Sequence, residues 1–250
     1  LQLVADREAD CIVSAGSTGA LLTGATLIVR RIKGVKRPAL APLLPTKAGT
    51  WLMLIDAGAN TDCKPSYLQQ FGVMADAYMK RAMGVERPRV ALLNNGVEEG
   101  KGDELTKAAY RMLAAAPIHF AGNCEARDIL SGEFDALVCD GFVGNVVLKH
   151  TEGMSEVIFS MLKKELKADA RSTLGAALAK PAFKRLKKRM DYKEVGGAPL
   201  LGIDGCVIKA HGSSDGKAFS SALMQARAFA QSGVNEAIIQ AVASLPEMED

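Results

Sequence analysis

Short apolar runs and helical patterns alternate along this chain, and most of the apolar runs end in a polar turn that contains glycine. The runs predict strands at Cys11–Ser14, Trp51–Asp56, Arg89–Leu93, Ile118–Ala121, Ala136–Cys139 and Val207–Ala210. The segments that follow them predict helices at Thr18–Ile32, Pro65–Met83, Glu104–Ala115, Ala126–Leu130, Asn145–Leu166 and Ser214–Ser232. This alternation is typical of a mainly parallel sheet with helices on both faces, so we predict an α/β fold in three α/β/α layers.

The length and composition exclude several classes of protein. With 250 residues, 48% hydrophobic and 24% charged, the chain can bury a full core and is not expected to be disordered. The mean hydropathy of +0.08 is too low for a protein with several membrane spans. Aromatic residues make up 5% of the chain and the net charge is only +3, which argues against a nucleic-acid partner.

The cysteines and histidines do not form the pattern of a disulfide framework or a metal site. The five cysteines, at positions 11, 63, 124, 139 and 206, include no C-x-x-C pair, and the three histidines are widely separated. Such a dispersed set is typical of reduced thiols in a cytosolic protein, so we expect no metal and no cofactor. The chain does not begin with Met, and its first residues predict a helix that leads into a strand, so we expect an N-terminal truncation.

The region 154–193 departs from the alternation of strands and helices. Its composition is helical, it contains no predicted strand, and Pro181 interrupts it. We predict two helices that protrude from a single domain spanning residues 1–250. Between Lys163 and Lys193 there are 11 basic and three acidic residues, a local charge of +8, whereas the rest of the chain carries −5.

This protrusion is also amphipathic. Its apolar residues recur at helical spacing on both sides of the proline: Leu174, Ala177, Leu178, Phe183, Leu186 and Met190. A basic amphipathic segment is typical of a membrane-surface element or of a site for an acidic partner. The contact residues that we predict are Leu178, Lys180, Phe183, Lys184, Lys187 and Lys188. The alternative is a solvated helix that packs its apolar face on another subunit.

Polar turns follow the predicted strands, and we expect them to form one site, because ligands of open parallel sheets bind outside the carboxyl ends of the strands. The turns are Ser14–Ala20, Asp56–Asn60, Asn94–Gly102, Phe120–Asp128, Asp140–Lys149, and Gly196–Gly202 together with Ile208–Asp215. Glycine-rich turns at helix N-termini present backbone N–H groups to an anion. The candidate anion-binding residues are Ser14, Gly16, Ser17, Thr18, Gly19, Asp56, Asn60, Asn94, Asn123, Glu125, Asp140, Gly144 and Ser213.

Three residues are candidates for catalysis, each with a structural alternative. Lys101 lies between two glycines, where an ammonium group can bind a phosphate oxygen, but the loop can equally be a solvated charge run. Asn145 either caps the following helix or donates to a developing oxyanion. His211, at a strand end beside Gly212, is as compatible with a structural role as with a catalytic one.

Several standard catalytic motifs are absent from the sequence. It lacks a Ser-His-Asp order with a G-x-S-x-G nucleophile elbow, and it contains no G-x-x-x-x-G-K-[ST] phosphate loop and no G-x-G-x-x-G dinucleotide fingerprint. The remaining donors suit a site that holds an anion and a carbonyl oxygen. They favour group transfer by positioning and electrostatics rather than through a covalent enzyme intermediate.

Taken together, these motifs resemble the phosphate acyltransferases of bacterial phospholipid synthesis, the PlsX family. The matching segments run in family order over essentially the whole chain: Ser14–Leu21, Arg37–Pro42, Asp56–Asn60, Leu92–Asn94 with Glu98–Gly102, Gly122–Asn123 with Glu125–Asp128, Asp140–Asn145, Gly196–Ala198 and Ile208–Asp215. The resemblance implies transfer of a long-chain acyl group from acyl carrier protein to inorganic phosphate. It also implies catalytic roles for the lysine at position 101 and the asparagine at position 145.

The resemblance carries further expectations about assembly and location. It implies a homodimer of α/β/α subunits, similar to phosphotransacetylases and to the isopropylmalate dehydrogenase fold. Members are cytoplasmic and associate peripherally with the inner face of the membrane, where a glycerol-3-phosphate acyltransferase uses the acyl phosphate.

The chain departs from the family pattern at two points, and two other functions are alternatives to the one that the resemblance implies. Roughly the first quarter of the family sequence is absent, and Ser17 stands where the family usually has Asn. The alternatives are a phosphotransacetylase that uses acyl-coenzyme A and a membrane-associated binding or scaffold protein without turnover. A dehydrogenase is weaker, because no cluster of metal-binding carboxylates is visible.

Overall fold

A computed structural model describes residues 1–190 and 196–246, apart from the side chains of Lys187, Lys188 and Met190. The strands are β1 (Cys11–Ser14), β2 (Ala39–Leu40), β3 (Leu43–Pro45), β4 (Trp51–Ile55), β5 (Val90–Asn94), β6 (Phe120–Glu125), β7 (Ala136–Val138), β8 (Ala198–Leu201) and β9 (Cys206–Lys209). The helices are α1 (Gln2–Ala5), α2 (Thr18–Gly24, continued by a π-helical turn Ala25–Val29), α3 (Pro65–Arg81), α4 (Glu104–Ala114), α5 (Gly141–Glu165), α6 (Ala170–Met190), α7 (Gly216–Gln231) and α8 (Val234–Ala243). A 3-10 turn covers Ala126–Asp128.

The strands form two sheets. The larger has the order β3-β4-β7-β5-β6, with all pairs parallel except β3 with β4. The smaller has the order β1-β9-β8-β2, in which only β1 and β9 are parallel. All six predicted strands are present, and the mainly parallel α/β class is confirmed. The sequence analysis missed β2, β3 and β8, which are the antiparallel strands.

One short segment connects the two sheets. Between β2 and β3, Ala41 N–H donates to the Pro199 carbonyl at 2.9 Å, in the smaller sheet. The Pro42 carbonyl accepts from Leu54 N–H at 3.0 Å, in the larger sheet. The chain therefore crosses directly from one sheet to the other at this point, and the carboxyl end of β4 is held close to the smaller sheet.

The core lies on both faces of each sheet. Alternate strand residues of the larger sheet, such as Met53 and Leu54, enter different apolar clusters, as the two-residue period of a strand requires. The cluster that contains Met53 also contains Phe71 of α3 and Ile208 of the smaller sheet, so α3 packs in a core common to both sheets. Leu148 of α5 packs on the opposite face of the larger sheet, which produces the predicted helix, sheet and helix layers.

Helices α5 and α6 form the predicted helical protrusion, but the break between them lies at residues 166–169 and not at Pro181. Asp169 accepts a hydrogen bond from Ser172 N–H at 2.9 Å and so caps the start of α6. Pro181 lies inside α6, where its missing N–H removes one hydrogen bond without ending the helix. Residues 191–193 of the predicted protrusion lie outside the described residues.

Among residues 1–190 and 196–246, no helix combines the length and the hydropathy that crossing a membrane requires. The single domain over residues 1–250 stays a prediction.

Candidate active site

The carboxylate of Asp56, directly after β4, organises the turn 56–60. It is fully buried and accepts hydrogen bonds from the N–H groups of Leu40, Gly58, Ala59 and Asn60, at 2.6–3.3 Å. The Asn60 side-chain amide also donates to it at 2.9 Å. Burial raises the pKa of the Asp56 carboxyl, and these hydrogen bonds act in the opposite direction. Because its oxygens face these donors and not solvent, Asp56 shapes the turn that a ligand would meet.

Helix α5 begins against this turn. Asp140 accepts two N–H hydrogen bonds of the first helical turn at 2.9 Å, so Asp140 is the N-cap of α5. Gly141 N–H donates to the Asn60 carbonyl at 2.7 Å. A Cβ atom on Gly144 would lie 1.9 Å from the Asp56 carbonyl oxygen, so only glycine fits at this position. The helix and the turn are thus in direct contact.

The position of Asn145 follows from the contact between α5 and the turn 56–60. A Cβ atom on Gly58 would lie 3.5 Å from the Asn145 Oδ1 atom, so the Asn145 amide packs directly over the turn. Gly58 has a φ of +127°, a conformation that favours glycine. Asp140 already caps α5, which removes the capping alternative for Asn145 and leaves its amide available to a ligand.

The end of β9 brings a histidine to the same region. The Ser213 N–H donates to His211 Nδ1 at 3.2 Å, and the Ser213 hydroxyl lies 2.8 Å from the same nitrogen. Because Nδ1 accepts from the backbone, the proton of the neutral ring is on Nε2. A Cβ atom on Gly212 would lie 3.9 Å from the Ala15 carbonyl, so the turn after β1 is adjacent to that after β9.

The hydroxyls of the turn after β1 are used locally. Ser14 Oγ accepts from Gly16 N–H at 3.2 Å, and Ser17 Oγ caps α2 by accepting from Ala20 N–H at 3.3 Å. Both hydroxyls therefore stabilise the local backbone of this turn. Thr18 differs from them, because it lines the cleft described next.

A cleft of about 1800 Å³ runs along α5, between the sheets and the protrusion. Its polar lining includes Thr18, Gly58, Thr61, Asn145, Lys149, Lys209, His211 and Ser213. Its apolar lining includes Leu43, Leu44, Leu148, Phe159, Leu162, Leu166, Phe183 and Leu186. From Asn145 to Leu162 the helix rises by about 25 Å, so the cleft extends from a polar end at the start of α5 to a mainly apolar end between α5 and α6. Lys163, Lys167 and Arg189 also line that second end.

The predicted site residues do not all line this cleft. Within the described chain, those that line it are Thr18, Asn145, His211 and Ser213. The others lie outside its lining: Ser14, Gly16, Ser17, Gly19, Asp56, Asn60, Asn94, Lys101, Asn123, Glu125, Asp140 and Gly144. Asp56, Asn60, Asp140 and Gly144 belong instead to the turn and helix start that support Asn145.

Lys101 and its neighbours form a second polar group, at the ends of β5 and β6. The Asn94 amide donates to the Lys101 carbonyl at 3.1 Å and to Asn123 Oδ1 at 3.2 Å. The Asn123 amide donates to the Glu98 carbonyl at 2.8 Å, and Glu125 forms an ion pair with Arg127 at 2.8 Å. The two asparagines therefore brace the loop 94–102, and Lys101 is exposed on it.

The sequence analysis did not include the cations that line this cleft, and Lys209 is one of them. Lys209 is the last residue of β9, lines the polar end and is partly buried. Its ammonium group donates to the Ala210 carbonyl. Burial, followed by the charge of Lys149, lowers the pKa of Lys209. The available signal was a single lysine inside an apolar predicted strand, directly before the polar turn that contains His211.

Comparison with known proteins agrees with this geometry. The profile of a family described as "Fatty acid synthesis protein" matches residues 1–237. The chain is similar to a phosphate acyltransferase of Clostridium perfringens (strain SM101 / Type A), at 56% identity over 230 residues, which cover 92% of this chain and 68% of that protein. This chain belongs to the phosphate acyltransferase family.

Another phosphate acyltransferase, from Alkaliphilus oremlandii (strain OhILAs), is 50% identical over 249 residues, which cover 100% of this chain and 74% of that protein. The prediction of an acyltransferase enzyme is thereby confirmed at the level of the family. The fold is similar to that of a phosphotransacetylase from Streptococcus pyogenes, with a TM-score of 0.58 at 17% identity. That match covers 91% of this chain and 65% of that protein, and it confirms the predicted phosphotransacetylase-like fold.

The thiols of this phosphate acyltransferase family member are poor nucleophiles. Burial raises the pKa values of Cys63 and Cys124 to about 12, and it raises those of Cys11, Cys139 and Cys206 as well. A thiolate is the reactive form of cysteine, and raised pKa values keep all five side chains protonated near neutral pH. None of the five cysteines lines the cleft, so neither their protonation nor their position favours an acyl-thioenzyme.

The predicted contact residues of the protrusion lie in two environments. Leu178 is 78% exposed, and Lys180 and Lys184 are also exposed. Phe183 is partly buried and lines the cleft. The side chains of Lys187 and Lys188 lie outside the described residues. Which partner contacts this surface stays a prediction.

Proposed function

We propose that this chain transfers a long-chain acyl group from acyl carrier protein to inorganic phosphate, releasing acyl phosphate and free carrier protein for glycerophospholipid synthesis. The observation that carries this proposal is the cleft along α5. Its polar end holds an amide, an imidazole and two amines, and its apolar end is lined by leucine and phenylalanine side chains. An acyl group has the same two parts, a polar carbonyl and a long apolar chain.

The apolar lining supports a long acyl chain over a short one. Leu148, Phe159 and Leu162 follow one face of α5, and Phe183 and Leu186 of α6 line the same cleft. Each methylene that leaves water contributes about 0.8 kcal/mol to binding. A short acyl group leaves most of this surface unused.

The polar end supports direct attack by phosphate. A phosphate oxygen forms a bond to the thioester carbonyl carbon, and the carbon–sulfur bond breaks. The proton of the attacking hydrogen phosphate goes to the leaving sulfur, whose thiol has an ordinary pKa of about 8.5. The Asn145 amide donates to the oxyanion that develops on the carbonyl oxygen, and His211 Nε2 donates to a phosphate oxygen.

Lys101 also has a role in the proposed mechanism. Strand β5, which precedes its loop, lies next to β7, and β7 leads through Asp140 into α5. Neighbouring strands lie about 5 Å apart, so the loop 94–102 emerges beside the start of the helix that carries Asn145. We propose that Lys101 approaches the phosphate from this side and stabilises its charge in the transition state.

Two surfaces fit the partners that we propose. The exposed Lys180 and Lys184 of α6 fit an acidic carrier protein or the anionic inner face of the cell membrane, where a glycerol-3-phosphate acyltransferase takes up the product. On α5, the face opposite the cleft exposes Val146, Val157 and Met161 by 50–63%. An apolar stripe of this kind fits a homodimer interface.

The chain-length profile tests the proposed function. Acyl phosphate formation is measured with palmitoyl and butyryl carrier proteins, for the wild type and for Leu162→Trp, which fills the apolar end. We expect the wild type to prefer palmitoyl, and the variant to lose most of that preference while keeping its butyryl rate. Leu174→Trp, at an exposed position of α6 outside the cleft lining, is the matched control. Equal rates with both donors in the wild type would contradict the proposal.

A further inference from the structure

Lys209 lies at the polar end of the cleft. It ends β9 two residues before His211, and both side chains line the polar end together with Asn145. The Lys209 ammonium donates to the Ala210 carbonyl, which uses one of its three donors and holds the group at the strand end. The remaining donors can serve a ligand in the cleft.

The charge of Lys209 is not neutralised within the described chain. No ion pair of Lys209 occurs among residues 1–190 and 196–246, whereas the nearby Lys149 is paired with Glu152 at 2.8 Å. Burial and the charge of Lys149 both lower the pKa of Lys209, so these surroundings disfavour its charged form. An anion bound between the two amines would remove this penalty.

Two of the acidic side chains that line the cleft, Glu152 and Asp215, are already engaged. Glu152 holds Lys149, and Asp215 accepts from Ala218 N–H at 2.9 Å as the N-cap of α7. Lys101 is exposed and lies outside the cleft lining. Lys209 is therefore the amine of this polar end without a carboxylate partner in the described residues.

We propose that Lys209 binds the inorganic phosphate that attacks the acyl donor, with Lys149 as a second cation on the same anion. This inference rests on the proposed function for the identity of the reaction. Lys209 bonds to a phosphate oxygen that does not attack, which reduces the repulsion between the dianion and the electron-rich oxyanion beside Asn145. It acts as a binding residue for phosphate and has no part in holding the acyl chain.

The test compares Lys209→Met, Lys209→Arg and the wild type in two independent measurements. Calorimetric titration with inorganic phosphate gives its Kd without turnover, and steady-state kinetics give separate KM values for phosphate and for palmitoyl carrier protein. We expect Lys209→Met to raise the Kd and the KM for phosphate by about tenfold or more, because a charge-assisted hydrogen bond is lost. Lys209→Arg should restore part of this loss, and the KM of the acyl donor should stay nearly unchanged.

Lys47→Met is the matched control, since Lys47 is an exposed cation that lines the same cleft from the β3–β4 turn. It should leave phosphate binding unchanged. An unchanged phosphate Kd in a folded Lys209→Met protein, judged by its thermal midpoint, would overturn the inference. An increase confined to the KM of the donor would also overturn it, because the amine would then hold the phosphodiester of the carrier's prosthetic group. If the wild type binds phosphate through Lys209 but forms no acyl phosphate, the proposed function fails and the phosphate site stands.

Discussion

Gly144 of α5 touches the backbone of Asp56 so closely that a Cβ atom at position 144 would lie 1.9 Å from the Asp56 carbonyl oxygen. This contact seats the first turn of α5 on the turn after β4. One residue further along the helix, Asn145 is thereby held over Gly58 at the polar end of the cleft. Gly144 therefore contributes to the site through packing. The sequence alone does not distinguish this role from that of a glycine in a phosphate-binding turn.

Gly144→Ala should therefore separate α5 from the Asp56 turn. We expect a loss of about 1–3 kcal/mol in the free energy of unfolding, as overpacking of a filled site produces, together with loss of most of the turnover. Urea denaturation and the acyl phosphate assay measure the two effects. Gly153→Ala is the control on the same helix, because nothing lies within 4 Å of its added Cβ atom. That variant should gain about 0.5–1 kcal/mol, and equal behaviour of the two variants would refute the packing role of Gly144.

The pair Arg89–Asp135 predicts how stability depends on pH. Burial alone would raise the pKa of Asp135, but the hydrogen bonds and charge of Arg89, at 2.8–2.9 Å, outweigh it and hold the pKa below its usual range. A lowered folded-state pKa stabilises the fold above the unfolded pKa of about 4, and this stabilisation is lost as the pH falls through the folded value.

Asp135→Asn should accordingly lose about 1–2 kcal/mol at pH 7, because Arg89 is partly exposed and solvent screens the pair. The difference between variant and wild type should narrow towards pH 3. Thermal unfolding at both pH values measures it, with Asp62→Asn as an exposed control. A difference that is the same at both pH values would show that the charge of Asp135 does not contribute.

Lys101→Ala tests the second polar group. If Lys101 stabilises phosphate charge in the transition state, as we propose, its removal slows turnover by roughly 10²-fold, with a smaller effect on the KM for phosphate. Lys107→Ala, an exposed lysine on the following helix, is the control and should keep the wild-type rate. A wild-type kcat in Lys101→Ala would remove this residue from the mechanism and leave Lys209 and His211 to hold the phosphate.

Charge reversal on the protrusion tests the electrostatic partner. The double variant Lys180→Glu/Lys184→Glu should raise the KM for the acyl carrier protein about tenfold and weaken binding to anionic liposomes, with both effects reduced at high salt. The rate with a small pantetheine thioester, which lacks the acidic carrier protein, should stay unchanged. Carrier and liposome binding that survive the reversal would show that the basic surface is not the contact.

The strands and helices that sequence analysis located best are those with a clear apolar period. The π-helical end of α2 was covered by the predicted helix, and β1 matches its predicted bounds. Strands β2 and β3 have only two and three residues, and β3 and β8 contain proline, which weakens any strand signal. Helix α8 follows α7 after only two residues, Ser232 and Gly233, and the sequence analysis predicted no helix beyond Ser232.

The candidate site was harder to predict than the fold. The strand-end rule grouped Asn145 and His211, and both line one cleft although their strands belong to different sheets. It also grouped Lys101 with them, but Lys101 lies outside the cleft lining although β5 and β7 are neighbours in one sheet. Lys209 was missed because a lysine in a strand usually faces solvent. Lys209 lies near Lys149 of α5 in the same cleft, and such a long-range contact leaves no local pattern in the sequence.

The proposed function is tested most directly by the formation of acyl phosphate from inorganic phosphate and palmitoyl carrier protein. The purified chain is assayed with this donor and, in parallel, with palmitoyl-coenzyme A. We predict turnover with the carrier protein, and a kcat/KM at least about tenfold higher than with the coenzyme A thioester, because the basic protrusion steers an acidic carrier to the cleft. A higher kcat/KM with coenzyme A would indicate a phosphotransacetylase. A folded protein that binds phosphate but forms no acyl phosphate from either donor would contradict the proposal that an acyl group is transferred to phosphate in this cleft.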